Sequence, residues 1–171
     1  MRVLGVDPGL ERTGLGVVES EGGRLRAVEF RTVQTPGEAA AKLMGIARAV
    51  REMLATNAPE ALCMERLFFN ANARTVMGVG QACGVVLLVA AEAGIPVVTY
   101  TPPEVKLAVT GSGTAAKPQV QFMVKAILGL DAAPKPADTA DALAVAICHL
   151  QRSGIAKRIQ SAQARPQGVV A

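Results

Sequence analysis

At 171 residues with half of them apolar, the chain is long enough for one domain with a sizeable core and too apolar to be disordered along its length. Eighteen basic against fourteen acidic side chains leave a net charge of +4 and a pI of about 9.3, compatible with a polyanionic partner but too mild to identify one. A single histidine and three scattered cysteines without a CxxC pair argue against a zinc site and for reduced thiols in a cytoplasmic protein; no charged-then-apolar secretory leader is visible.

The chain opens with a short apolar run, Val3, Leu4 and Val6, that reads as a buried strand ending in Asp7, where Pro8-Gly9 turns it sharply. Thr13 to Glu19 reads as a second strand and Leu25 to Val33 as a third, joined through the hairpin signal Glu21-Gly22-Gly23. These three form an antiparallel meander. Thr35-Pro36-Gly37-Glu38 then opens a helix, with Thr35 as its expected cap, that runs to about Ala55 with Leu43, Ile46, Val50 and Leu54 on one face.

Glu60 to Glu65 is a second buried strand that ends in a carboxylate, and 66–75 is a loop. Residues 74–93 form a helix apolar on most sides, interrupted by Gln81 and short of the roughly 20 apolar residues that a membrane span needs. In a small domain such a helix is buried by the sheet on one side and is a candidate subunit interface on another. A fifth strand follows at Ile95 to Thr99, then a short helix from Pro102 through Val109, a Gly111-Ser112-Gly113-Thr114 loop, a helix over Pro118–Leu128 and a last helix over Ala137–Gln151. Residues 1–152 are expected to form one domain, and 153–171 a mobile basic tail. The order βββαβαβαα predicts an α/β fold: a mixed five-stranded sheet, its first three strands antiparallel, with helices on both faces.

The informative residues are acidic. Asp7 and Glu65 both end apolar strands, and if those strands are parallel neighbours both carboxylates sit at the sheet edge where open α/β sheets place their sites. Asp138 and Asp141 are three apart in the first turn of the last helix, hence on one face. Each has a simpler reading: Asp7 could merely cap the Pro-Gly turn, and Asp138 and Asp141 could merely cap a helix. Together they point elsewhere. Two carboxylates about 5 Å apart repel by roughly 3 kcal/mol at an effective dielectric near 20, so four in one pocket require cations. All-oxygen ligation selects Mg²⁺ or Mn²⁺, and two such ions about 3.5–4 Å apart suit phosphodiester hydrolysis.

Val6-Asp7-Pro8-Gly9, Thr13-Gly14, Glu65 before Arg66-Leu67-Phe68, and Asp138-Thr139-Ala140-Asp141-Ala142 resemble the RuvC-type Holliday-junction resolvases, over roughly residues 1–152. The resemblance implies an RNase H-like fold and a homodimeric endonuclease of DNA recombination and repair. In such an enzyme Asp7, Glu65, Asp138 and Asp141 hold two Mg²⁺ ions, for which Mn²⁺ can substitute. It implies paired symmetrical nicks in a four-way junction, leaving 5′-phosphate and 3′-hydroxyl ends, and delivery of the junction by a branch-migration complex of the RuvA and RuvB type. An Asp-x-Gly turn also opens actin-like ATPases and sugar kinases, but those need a duplicated domain and a second phosphate loop. A non-catalytic junction-binding protein is the other alternative.

The loop after Glu65 carries Arg66, Phe68, Phe69, Asn70, Asn72 and Arg74. An aromatic among cations and amides is suited to stacking on an unpaired base, at roughly 1–3 kcal/mol, and Phe68 matches the family's stacking phenylalanine. Lys106 and Lys117 match lysines that the family sets against backbone phosphates; either could instead be a solvated surface lysine. His149 lies roughly 12 Å along the helix from Asp141, too far to share a metal, and reads as a histidine of the helix's last turn.

Overall fold

The computed structural model describes residues 1–66 and 73–163, and the side chains of 1–66 and 76–154. Strands β1 (Arg2–Asp7), β2 (Thr13–Glu21), β3 (Arg24–Val33), β4 (Ala61–Glu65) and β5 (Val97–Tyr100) form a sheet in the order β3-β2-β1-β4-β5. β1, β2 and β3 pair antiparallel, whereas β4 lies parallel to β1 and to β5. The expected mixed sheet is therefore the observed one. Helix α1 (Ala39–Asn57) carries the chain from β3 across to β4, and α2 (Ala73–Glu92) makes the β4–β5 crossover; α3 (Pro102–Thr110), α4 (Lys117–Leu128) and α5 (Ala137–Gln163) follow β5.

Strand side chains alternate between the two faces, so two cores form. Leu4, Val6, Leu15, Val17, Leu62 and Met64 face α1 and α2. Val3, Val18 and Cys63 face α3, α4 and α5. Residues two apart share a face, which puts Asp7 with Val3 on the α5 side and Glu65 there with Cys63. No helix among the described residues is long and apolar enough to cross a membrane.

Three local details differ from the sequence reading. Helix α1 begins at Ala39, after an N-cap at Glu38, so Thr35 is not its cap: Gly37 takes φ 103° and turns the chain first, and Thr35 fills the space beside Gly45. Strand β5 starts at Val97 and runs through Tyr100, because Pro96, which has no N–H, accepts from the Leu62 amide through its carbonyl alone. Helix α5 runs to Gln163 and passes the expected end at about Gln151, since no proline interrupts it before Pro166 and its one glycine there, Gly154, weakens a helix without stopping it.

Candidate active site

Parallel pairing of β1 and β4 aligns Val6 with Met64, so the residues that follow on the α5 face, Asp7 and Glu65, leave the sheet at the same edge. The other pair comes from α5, whose first turn carries Asp138. Close approach of this helix depends on glycines. A Cβ on Gly5 would lie 1.9 Å from the Ala142 carbonyl oxygen, and a Cβ on Gly14 would lie 1.9 Å from that of Asp138. Gly14 is also the β2 partner of Asp7, so the contact that seats α5 on β2 is one residue pair from the carboxylate at the end of β1. Gly16 extends the track, touching Leu143. Gly5 and Gly16 carry no functional signal of their own in the sequence; glycine at every second position of a strand, facing an Ala-rich helix, is the pattern that discloses them.

Electrostatics measure how closely the four acids gather. The Asp7 carboxyl is pushed up to about 7, first by burial and then by the charges of Asp141, Asp138 and Glu65, with Lys117 opposing. Glu65 is pushed up by burial and by Asp141, against Lys106 and Lys117. Lys117 holds its proton more firmly than usual because its ammonium bonds Asp141, Nζ to Oδ2 2.6 Å, with the Asp7 and Asp138 charges adding to the effect. Glu65, Asp141, Lys106 and Lys117 also line one cavity of about 230 Å³, between α3, α4 and α5.

Among the described residues no three acidic, histidine or cysteine side chains already converge on a single ion-binding point. Two of the four acids are instead turned to the chain's own cations. Lys117 is on Asp141, and Arg12 stands 3.3 Å from Asp138, Nε to Oδ2. That Asp138 oxygen is buried and accepts no hydrogen bond, because the guanidinium lies at ion-pair distance but off the hydrogen-bond axis. An orphaned carboxylate oxygen inside an all-oxygen donor set is what a hard divalent cation would satisfy, so these residues fit Mg²⁺ or Mn²⁺ chemically. Arg12 itself escapes a sequence reading, since nothing local says that a residue of the β1–β2 turn meets one 126 positions later.

The remaining candidates are distributed unevenly. Lys106 lines the cavity. Arg66 is exposed directly after Glu65; its amide donates to the Tyr100 carbonyl at 2.7 Å, and its charge acts on Glu104 and not on the cluster. Phe68, with Phe69, Asn70 and Asn72, lies outside the described residues, and Arg74 is within α2 with its side chain outside them. His149 is not in a final turn: α5 continues for fourteen residues beyond it, and the ring is buried, its Nδ1 2.9 Å from the Tyr100 hydroxyl. Burial pushes its pKa down.

A family model described as crossover junction endodeoxyribonuclease RuvC matches residues 3–149. A relative of that name from Saccharopolyspora erythraea is 53% identical over 96% of this chain and 84% of its own length; another from Syntrophomonas wolfei is 48% identical over 94% and 95%. Among solved structures, Thermus thermophilus RuvC in complex with Holliday junction substrate is 41% identical, with a TM-score of 0.86 over 91% of this chain and 96% of that one. The yeast mitochondrial Holliday junction resolvase Ydc2, at 13% identity and a TM-score of 0.66, shares the fold. With its mixed sheet, its four gathered carboxylates and a match along nearly its whole length, this chain belongs to the RuvC family of crossover junction endodeoxyribonucleases.

Proposed function

We propose that this chain resolves four-way DNA junctions in the cytoplasm by hydrolysing one phosphodiester in each of two opposed strands, with Asp7, Glu65, Asp138 and Asp141 holding two divalent cations, Mg²⁺ by preference and Mn²⁺ as a substitute. The observation that carries the reading is the gathering of four acids at one sheet edge, where burial first, and then the charges of Asp141, Asp138 and Glu65, push the Asp7 carboxyl up to about 7. A fold that only needed stability would not gather repelling charges there. When bound, the cations would activate the attacking water and stabilise the departing 3′-oxygen.

The chain's own residues supply the rest. Asp7 and Glu65 are fixed by strands, and Asp138 and Asp141 by the first turn of a long helix seated on glycines, so the cluster is rigid before substrate arrives. Lys117, which opens α4 and pairs with Asp141, is placed to turn to the scissile phosphate once a cation replaces it on that carboxylate. Lys106 on α3 reaches the neighbouring backbone phosphate, and Phe68 stacks on an unpaired base beside Arg66 and Arg74. A twofold dimer matches the twofold junction. Helix α2 supports such a pairing: Met77, Leu87 and Leu88 are 67%, 44% and 57% exposed on a helix whose outward side also carries Gly80 and Gly84. Hand-over from a RuvA- and RuvB-type branch-migration complex follows the family resemblance, with 1–152 as the nuclease unit and 153–171 as a basic tail.

The test is a synthetic four-way junction incubated with Mg²⁺, with EDTA, and beside a plain duplex. Paired nicks only in the junction with Mg²⁺ are expected; EDTA-insensitive binding without nicking would leave a junction-binding protein.

A further inference from the structure

Arg12, the cation that faces Asp138, has no role in the function proposed above. The turn that bears it, between β1 and β2, is held at three points. The Thr13 hydroxyl donates to the Gly9 carbonyl at 2.8 Å and accepts from the Gly9 amide at 3.3 Å. Leu10 packs against α2 where Gly78 leaves room for it. Glu11 takes the Lys42 ammonium at 2.6 Å with both carboxylate oxygens. Arg12 projects from this turn with its side chain 54% exposed and its guanidinium facing an oxygen to which it makes no hydrogen bond. A cation held by charge alone on a pre-ordered turn is easily released.

Its position is the mirror of Lys117. Asp141 lies on the α3–α4 side of the cluster with Lys106 and Lys117; Asp138 lies on the β2 side, against Gly14. Cations on the α3–α4 side alone would grip a DNA strand from one flank. We propose that Arg12 is a further DNA-phosphate-binding residue on the opposite flank of the cluster, which the fold stores on Asp138 as a counter-ion. A divalent cation on Asp138 releases the guanidinium, which then takes a backbone phosphate beside the cut; the planar fork of arginine suits a phosphate once freed. This inference rests on the carboxylate cluster proposed above.

The experiment compares wild-type protein with Arg12→Gln and Arg12→Lys, after melting curves establish that both variants fold. Mn²⁺ affinity without DNA is measured by titration calorimetry, and junction affinity is measured in Ca²⁺ at several salt concentrations. Arg12→Gln is expected to bind Mn²⁺ about three- to tenfold more tightly, because the competing cation is gone, and to lower the slope of log affinity against log salt by about 0.9 for each arginine removed. Arg12→Lys is expected to restore the salt slope. An unchanged slope or an unchanged Mn²⁺ affinity in Arg12→Gln overturns the proposal. Wild-type protein that binds no Mn²⁺ would instead sink the carboxylate reading, leaving the salt slope alone to decide on Arg12.

Discussion

Replacing Asp7 by asparagine separates catalysis from stability. In the metal-free fold the Asp7 carboxyl keeps its proton up to a pH of about 7, whereas in the unfolded chain it releases it near 3.8. Between those values the folded state binds the extra proton, so this group's contribution to stability is complete below pH 3.8 and is lost as pH rises towards 7. At about 1.36 kcal/mol per pH unit, the loss sums to about 4 kcal/mol by pH 8 and about 1.5 kcal/mol at pH 5. Asparagine carries no charge at any pH and escapes this loss. With roughly 2–4 °C per kcal/mol for a chain of this size, the variant is expected to melt roughly 8–16 °C above wild type at pH 8 in EDTA. At pH 4 the two should nearly coincide. Calorimetric melts at pH 4, 5, 6.5 and 8 follow the divergence, and nicking assays on the same samples should find junction binding without cleavage. Adding Mg²⁺ should raise the wild type far more than the variant. A melting difference that does not change with pH, or wild-type cutting by Asp7→Asn, would refute the reasoning.

Gly14→Ala would place a methyl group 1.9 Å from the Asp138 carbonyl oxygen, where ordinary contact begins at 3.4 Å. Helix α5 must retreat, and the expected outcome is a loss of about 1–3 kcal/mol in denaturant melts together with a collapse of cleavage out of proportion to the lost stability. Lys117→Met removes the partner of Asp141 and one of the charges that oppose the rise at Asp7. Single-turnover cleavage should fall about a hundredfold while junction affinity in Ca²⁺ changes much less, and the pH at which the stability loss from Asp7 levels off should move upward, its onset near 3.8 unchanged. Tyr100→Phe strips the buried His149 ring of its partner, for an expected cost of about 1–3 kcal/mol in urea unfolding; a Tyr100→Phe, His149→Phe double variant should recover part of it.

The resolvase family was legible from four short stretches because each is a local pattern with a chemical reason. An apolar run that stops at a carboxylate marks a strand end, and acids at i and i+3 mark one helix face. Strand direction followed from connection lengths, since short turns force antiparallel neighbours and a helix between two strands allows parallel ones, but the order β3-β2-β1-β4-β5 did not. The candidates that escaped this reading are long-range. His149 sits within its helix's span and not at its end, because the end is decided by where the next proline falls and the ring's burial by β5 and α3.

Local periodicity thus determined which residues stand at the ends of strands and on the first turn of the last helix, and through them the chemistry on offer. It could not determine how near those ends come to one another. That was decided by Gly5, Gly14 and Gly16, whose missing side chains let α5 settle on the sheet, and by Arg12 and Lys117, which reach the two helix carboxylates from elements far away in the chain. The affinity of Asp7 for its proton depends on burial and on charges contributed from across the fold, so it exists only once the chain has closed around it.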